Sequence, residues 1–143
     1  MAFDAHAMAE ALEQILKDDA RLEHFTVVRS EPIDEQPEGR PVLGIYKARE
    51  SYTAHTIAAG QNPWAVEGAP ELVLLTASLK SGADADERLE AAKALLFSVL
   101  SDNLTLGGTV DMLNGWDAEY EYGQEGGLYF VGVTITLQVE ARA

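Results

Sequence analysis

The chain has 143 residues, of which 47% are hydrophobic and 24% are charged, and this length and composition are typical of one globular domain with a buried core. Its 24 Asp and Glu residues outnumber its 10 Lys and Arg residues, and the net charge of −14 opposes binding to phosphate backbones and anionic membranes. The chain has no cysteine, which excludes disulfides, thiol catalysis and cysteine-bound metal sites.

The first predicted element is a helix near the N-terminus. Asp4 is placed to cap it, and an apolar stripe at helical spacing follows, formed by Met8, Leu12, Ile15 and Leu16. The same segment carries acids where a secretory signal peptide carries basic residues, and no apolar run approaches the roughly 20 residues that span a bilayer. We therefore expect a protein that folds in the cytoplasm and makes no membrane contact.

Two strands and a long loop are predicted next. The β-branched run from Phe25 to Arg29 and the segment 42–50 have the composition of strands, and residues 30–41 between them form a loop rich in proline and acids. Residues 51–70 have no sustained period and contain two glycines and two prolines. We predict a long loop there, of a kind that is usually either functional or disordered.

Three residues of the predicted loop are candidates for contact with a partner, namely Tyr52, His55 and Trp64. Aromatic side chains in an irregular segment favour an ordered role at an interface. The alternative is a loop that folds back over the protein's own core.

A third strand is predicted over residues 71–80, followed by a turn at Ser81-Gly82 and a second helix. Asp84 and Glu87 form a start to this helix that resembles a capping box. Its buried stripe is predicted to comprise Leu89, Ala92, Leu96, Val99 and Leu100. Phe97 lies off the centre of the stripe, either at the edge of the core or on a surface that a partner covers.

The C-terminal third predicts a hairpin of two long strands with alternating faces. The first strand has Trp116, Ala118, Tyr120 and Tyr122 on one face and Asp117, Glu119 and Glu121 on the other. Since both apolar rows must lie on one face, the loop must have an even number of residues. We predict a four-residue loop at Gly123–Gly126, which places Tyr120 beside Tyr129 and Trp116 beside Val133.

These elements predict a single α+β domain over residues 1–143 with the order α-β-β-β-α-β-β. Hairpins and one-sided apolar patterns favour an antiparallel or mixed sheet with both helices packed on one face.

No pattern of residues indicates catalysis, a cofactor or a metal. His6, His24 and His55 are isolated in the sequence, and no HExxH, nucleotide-binding or nucleophile-elbow motif occurs. Asp117, Glu119 and Glu121 alternate about 7 Å apart on a strand face, where carboxylates are normally solvated and do not form a catalytic pair. We expect no enzymatic activity. A small enzyme or ligand-binding domain with residues 51–70 as a lid is the alternative.

The segment from Leu100 to the C-terminus resembles the closing segment of the tail terminator and tail-completion proteins of tailed phages. In that family a helix ends in a phrase similar to DNLTLGGTVD, here Asp102 to Asp111, and a strand with several acids, a glycine-rich turn and a final amphipathic strand follow. The first helix and the strand after DDARLEHFTVVRS also fit the family's order of elements, whereas residues 51–70 match nothing in it.

The resemblance implies a virion structural protein of the tail or neck, assembled in the host cytoplasm. It would form a homo-oligomeric ring, expected to be a hexamer, that caps the tail tube, stops tail growth and receives the head-completion protein. Its partners would be other copies of itself, the tail tube protein and the head-completion or connector protein. DNA would pass through the lumen, which we expect Asp117, Glu119 and Glu121, or acids of the 31–38 loop, to line. Another neck or tail-completion role is the alternative within this class.

Overall fold

A computed structural model describes residues 3–33, 40–54 and 64–142. The order of its helices and strands is α-β-β-β-α-β-β, which confirms the predicted α+β class. The elements are α1 (Ala5–Asp18), β1 (Thr26–Arg29), β2 (Val42–Ala54), β3 (Trp64–Ser78), α2 (Gly82–Ser101), β4 (Met112–Glu125) and β5 (Leu128–Arg142), with a single 3₁₀ turn at Ala20–Leu22 after α1.

The strands form one five-stranded sheet in the order β1-β2-β3-β5-β4. The sheet is mixed, because β1 runs parallel to β2 and the other neighbours are antiparallel. Helix α1 packs over β1 and β2, and α2 packs over β3 and β5, so that both helices lie on one face as predicted. The core lies between this helix layer and the sheet, and the opposite face of the sheet, the open face, has no helix against it among the described residues.

Polar side chains cap the N-termini of both helices, and the capping residue of α2 differs from the one predicted. The Asp4 carboxylate accepts hydrogen bonds from the backbone amides of His6 (2.9 Å) and Ala7 (3.1 Å), which confirms the predicted cap of α1. The cap of α2 is Ser81 and not Asp84, because the Ser81 hydroxyl accepts from the Asp84 amide at 3.0 Å. Asp84 occupies the third helical position, where an acid interacts favourably with the positive end of the helix dipole.

The prediction of a loop over residues 51–70 was wrong at both of its ends. Strand β2 continues to Ala54 and β3 begins at Trp64, and the two remain paired from Arg49 with Ala69 to Ala54 with Trp64. The pairing register shifts between Tyr46 and Arg49, and the extra residue of β2 lies opposite Pro70. Since proline has no N–H for the ladder, a bulge beside it lets the hairpin continue. His55 falls within 55–63, outside the described residues.

The closing hairpin is longer than predicted, although its two faces are as expected. Pairing continues to Glu125 with Leu128 and leaves a two-residue turn, not the predicted loop at Gly123–Gly126. Gly126 (φ 57°) and Gly127 (φ 82°) adopt the left-handed conformation that a tight hairpin turn requires. The even loop length keeps both apolar rows on the helix face.

The pairs across this hairpin therefore differ from those predicted. Tyr120 lies opposite Val133 and Trp116 lies opposite Leu137. The β5 partner of each residue lies four positions further along the chain than predicted, because the turn lies two residues further along the chain than predicted.

The two long hairpins point to opposite ends of the sheet. Near the β4–β5 turn, Tyr129 pairs with Ser78 at the end of β3, and at the other end Arg142 pairs with Ala65 at the start of β3. The connection between β2 and β3 thus lies at one end of the sheet, and the glycine turn of β4–β5 lies at the other.

Candidate interaction surfaces

The open face of the sheet is lined with carboxylates at the β3, β4 and β5 positions that alternate with the core residues. Asp117 lies opposite Thr136, which in turn lies opposite Glu71, so acids of two strands face the same side. The Gln138 amide donates a hydrogen bond to Asp117 (2.8 Å). The acids of this face are Glu67, Glu71, Asp117, Glu119, Glu121, Glu125 and Glu140. The three acids predicted to form a surface do share it, together with four that the sequence pattern did not single out.

The centre of the open face is covered by the sheet's own side chains. A Cβ on Gly44 would lie 2.6 Å from the Tyr46 ring, and a Cβ on Gly132 would lie 2.6 Å from the Leu75 side chain. Tyr46 and Leu75 therefore lie over neighbouring glycines and cover part of the open face. The burial of the Tyr46 hydroxyl raises its pKa, and the hydroxyl donates to the Glu31 carbonyl at 2.7 Å.

The predicted contact residues Tyr52 and Trp64 lie on the distal part of the β2–β3 hairpin. Tyr52 pairs with Val66 and Ala54 pairs with Trp64, so both aromatic side chains lie on the helix face. Tyr52 is 49% exposed and Trp64 is 44% exposed. The Tyr52 hydroxyl donates to Glu50 (2.8 Å), and this hydrogen bond raises the pKa of Tyr52. These two aromatics provide an apolar surface at the end of the sheet away from the glycine turn.

Phe97, the fourth predicted contact residue, lies at the edge of the core. Its ring contacts Trp116 with 4.9 Å between ring centroids, and the Lys93 ammonium lies 5.8 Å from the Phe97 centroid. Lys93 also hydrogen-bonds the Tyr120 hydroxyl and pairs with Glu90 (2.6 Å). These contacts with Glu90 first, and then with Tyr120, raise the pKa of Lys93. Phe97 therefore joins α2 to β4 within the subunit.

A groove that the sequence did not reveal lies on the helix side, between α2 and the segments that precede β1 and β2. Its volume is roughly 370 Å³. Apolar and small residues form much of it, including Phe25, Ala77, Ala92 and the 41% exposed Leu95. Four basic groups also line it, namely Arg21, His24, Arg40 and Arg88. Within the described residues no carboxylate lines it, which sets this groove apart on a chain of net charge −14.

Ion pairs outside the groove hold two of its guanidinium groups. Arg21 binds Asp19 and Asp102, each at 2.8 Å, and Arg88 binds Asp84 at 3.1 Å. Hydrogen bonds from the Arg21 side chain and backbone hold the pKa of Asp19 at about 2. The hydrogen bond from Ser78 and the charge of Arg88 lower the pKa of Asp84. Both arginines therefore line the groove while their guanidinium groups bind carboxylates outside it.

Spacing alone could not have found this groove. Arg21, Arg40 and Arg88 are separated by 19 and 48 residues in sequence, and they meet only because the start of β2 lies between β1 and β3 and α2 crosses above. The sequence offered one indication of the groove. Leu95 is a large apolar residue that lies beside the buried stripe of α2, where its side chain is exposed.

His6 and His24, the two histidines of the described residues, lie on separate parts of the surface. His6 pairs with Glu10 (3.1 Å) on the surface of α1, and His24 lies at the groove. Within residues 3–33, 40–54 and 64–142, no group of three or more His, Asp or Glu side chains could hold a metal ion. Across those same ranges, no helix combines the length and the apolarity that a membrane crossing requires.

No family model matches the sequence, and no curated protein matches it. Among solved structures, the chain is similar to one described as "Virion of native gene transfer agent (GTA) particle", with a TM-score of 0.46 and 16% sequence identity. The similarity covers 94% of this chain and 97% of the other.

Proposed function

We propose that this chain is a structural subunit of a phage-type tail that assembles into a ring, caps the tail tube, ends tail growth and joins the tail to the head-completion complex. The observation that carries the proposal is the segment Asp102–Asp111, whose sequence resembles tail terminator and tail-completion proteins. In this chain the segment is a compact connector between α2 and the closing hairpin. Leu106 and Val110 are buried in the core, and Gly107 (φ 70°) and Gly108 (φ 83°) adopt left-handed conformations.

The arrangement of the hairpins supports a subunit with two axial surfaces. A ring that sits between a tube and a head connector needs a different contact surface at each end. The β2–β3 hairpin, with Tyr52 and Trp64, lies at one end of the sheet, and the start of β2 and the end of β3 lie at the other. Exposed aromatic residues are favourable at a protein interface, so the β2–β3 end is the surface we assign to the tail tube protein.

The acidic open face supports a subunit that lines a channel for DNA. We place Asp117, Glu119 and Glu121 towards the lumen of the ring, where like charge keeps the DNA backbone from adhering during transit. Glu71 and Glu67 extend the same acidic surface across the sheet. The helix layer would then face outward. A reconstruction of the ring with α1 and α2 towards the channel would contradict this placement.

Two other assignments differ in what they require. A different neck or tail-completion subunit would form a ring that binds another part of the virion and leaves tube ends free. A small ligand-binding domain would use the groove beside α2 for a small anion and would stay monomeric. The resemblance of the connector between α2 and the hairpin gives no support to a ligand-binding domain. Tail-completion subunits share it, so binding to tube ends distinguishes them from a terminator.

Negative-stain microscopy of the purified protein, alone and mixed with tubes of its tail tube protein, tests the proposal. We expect closed rings, six-fold in projection, and a cap at one end of each tube. The double variant Tyr52→Ser with Trp64→Ser should still form rings but leave tube ends bare, because its changes are confined to the proposed tube-facing surface. A persistent monomer without affinity for tubes would overturn the proposal.

A further inference from the structure

From the groove and the closing hairpin, which rest on the proposed ring, we infer the lateral contact between its subunits. The tip of the β4–β5 hairpin of one copy binds in the groove beside α2 of the next copy. The hairpin tip is defined here as residues 122–127, and the groove as the cavity lined by Arg21, Arg40, Arg88 and Leu95 with their apolar neighbours.

The two surfaces are complementary in charge and in polarity. The hairpin tip carries Glu125 and Tyr122, and Tyr122 is 68% exposed, with its hydroxyl donating to Asp86 of its own subunit at 3.4 Å. The groove is lined by Arg40 and by the ion-paired Arg21 and Arg88, together with apolar residues that include Leu95 and Phe25. A tyrosine ring fits such a site because its body is apolar, its hydroxyl finds polar partners in the groove, and arginine stacks on its face. Glu125, next to the turn on the opposite face of the same hairpin, supplies a negative charge that Arg40 of the groove attracts.

The positions of the two surfaces suit a head-to-tail contact. The groove floor includes Thr76 and Ala77, which pair with Val131 and Phe130, only a few residues from the hairpin turn. Groove and hairpin tip therefore lie at the same end of the sheet. They lie towards opposite edges, because the groove opens beside β1 and β2 whereas β4 is the outermost strand at the other edge. Copies joined by this contact advance sideways at one level, without climbing along the axis.

A contact between two different patches leaves one groove and one hairpin tip unused at the ends of any open chain of copies. Closing the chain into a ring fills both of them. The contact thus gives a physical reason for a closed ring and assigns a role to basic residues that the lumen and the axial surfaces do not use. The neighbouring copy is favoured as the occupant because it brings both an acidic and an aromatic side chain.

Cross-linking tests the contact directly, since the chain has no native cysteine and every introduced thiol is unique. Leu95→Cys is placed in the groove and Tyr122→Cys on the hairpin tip, and a short bismaleimide is added to preformed rings. Mixed single variants should give covalent dimers, and the double variant should give a ladder that ends at the ring size. The control pair Leu95→Cys with Tyr52→Cys, at opposite ends of the sheet, should give only background.

The outcomes separate the contact from the proposed function. Rings that cap tubes but cross-link Leu95→Cys to Tyr122→Cys no better than the control pair would overturn the contact and leave the function standing. A monomer that never forms rings would overturn the function, and the contact with it. If the occupant were instead the acidic segment 34–39 of the same chain, the variant Asp34→Asn, Glu35→Gln, Glu38→Gln would raise maleimide labelling of Leu95→Cys without any ladder from Tyr122→Cys, which also overturns the contact.

A charge exchange provides the second measurement, because substitution of Tyr122 could disturb the hairpin locally. Glu125→Arg and Arg40→Glu should each raise severalfold the protein concentration at which rings form, since each places like charges across the contact. The double variant should restore assembly towards that of the native chain. Two single variants with impaired assembly and a double variant with the sum of their defects would contradict a direct contact.

Discussion

The two long hairpins of the sheet are built on similar strand lengths but are stabilised very differently. The β4–β5 hairpin has an uninterrupted apolar row on β5, from Val131 to Val139, that packs under the helices, and it closes with a two-glycine turn. The β2–β3 hairpin contains a bulge opposite Pro70, and its distal β2 residues, from Arg49 to Ala54, are exposed. One hairpin therefore forms part of the core, whereas in the other the distal part of β2 is an exposed strand beside β3, which still pairs with β5 and buries Val66.

This difference implies that substitutions in the two hairpins separate stability from assembly. Truncation of a buried side chain in a core strand lowers the free energy of unfolding, because the neighbouring side chains cannot fill the cavity that is left. The exposed distal part of β2 is held mainly by its backbone ladder with β3, so its side chains can serve a contact without a large effect on the free energy of unfolding.

The largest expected effect is in the β5 core row. Leu137→Ala removes a fully buried side chain and should lower the free energy of unfolding by about 2–5 kcal/mol. Tyr52→Ala, in the exposed distal part of β2, is the matched control and should change it by less than about 1 kcal/mol. Urea unfolding followed by tryptophan fluorescence measures both. Equal losses would mean that the distal β2–β3 hairpin belongs to the core.

Gly68 tests how tightly the β2–β3 hairpin joins the core. A Cβ at this position would lie 2.8 Å from the Val139 side chain, so Gly68→Ala should destabilise the protein by about 1–3 kcal/mol through overpacking. Truncating the neighbour in the double variant Gly68→Ala, Val139→Ala removes the clash. The double variant should therefore be more stable than the sum of the two single effects, in a thermodynamic cycle measured by urea unfolding. Strict additivity would be the contrary result.

The glycine turn of the β4–β5 hairpin should show a somewhat smaller effect. Gly127→Ala places a Cβ at φ 82° and should cost about 1–2 kcal/mol, because left-handed backbone is unfavourable for residues with a side chain. Gly123→Ala, in the same hairpin with open space around its Cβ position, serves as the control and should be neutral or slightly stabilising. Thermal melts compare the two, and an equal drop in both would locate the sensitivity outside the turn conformation.

The smallest effect concerns the ion pairs that hold Arg21 at the groove. Because hydrogen bonds from Arg21 hold the pKa of Asp19 at about 2, below its ordinary value of 3.8, the folded state favours the ionised form. This stabilisation is fully present above the ordinary pKa and is lost as the pH falls towards 2. The thermal midpoint of Asp19→Asn should accordingly depend less on pH between about 4 and 2 than that of the native chain. Parallel pH profiles would show that the pair has no effect on folding.

The sequence predicted the elements whose side chains report burial through a regular period. The stripe of α2 and the alternation of β4 and β5 are such signals, and they fixed the fold class and the faces of the hairpin. The hairpin turn was misplaced by two residues because Gly123 and Gly126 offered as good a turn as Gly126 and Gly127. The two possible turns differ in whether strand pairing continues beyond Tyr122, and the structure shows that it continues to Glu125.

The distal half of the β2–β3 hairpin could not be predicted, because a glycine and a proline interrupt the alternation of apolar and polar residues in β3. Gly68 and Pro70 are typical of loops, yet here Gly68 accommodates Val139 and Pro70 faces a bulge, and both depend on a neighbouring strand. The groove was missed for a related reason. Its arginines come from three separate segments that only the tertiary fold brings together.

The measurement that tests the central claim most directly is the growth of tail tubes in the presence of this chain. Tube protein is polymerised with and without added rings, and tube lengths are followed over time by electron microscopy. A terminator predicts that capped tubes stop elongating at the capped end while uncapped tubes continue, with the effect lost in the Tyr52→Ser, Trp64→Ser variant. Tubes that elongate at the same rate in the presence of excess rings would contradict the account.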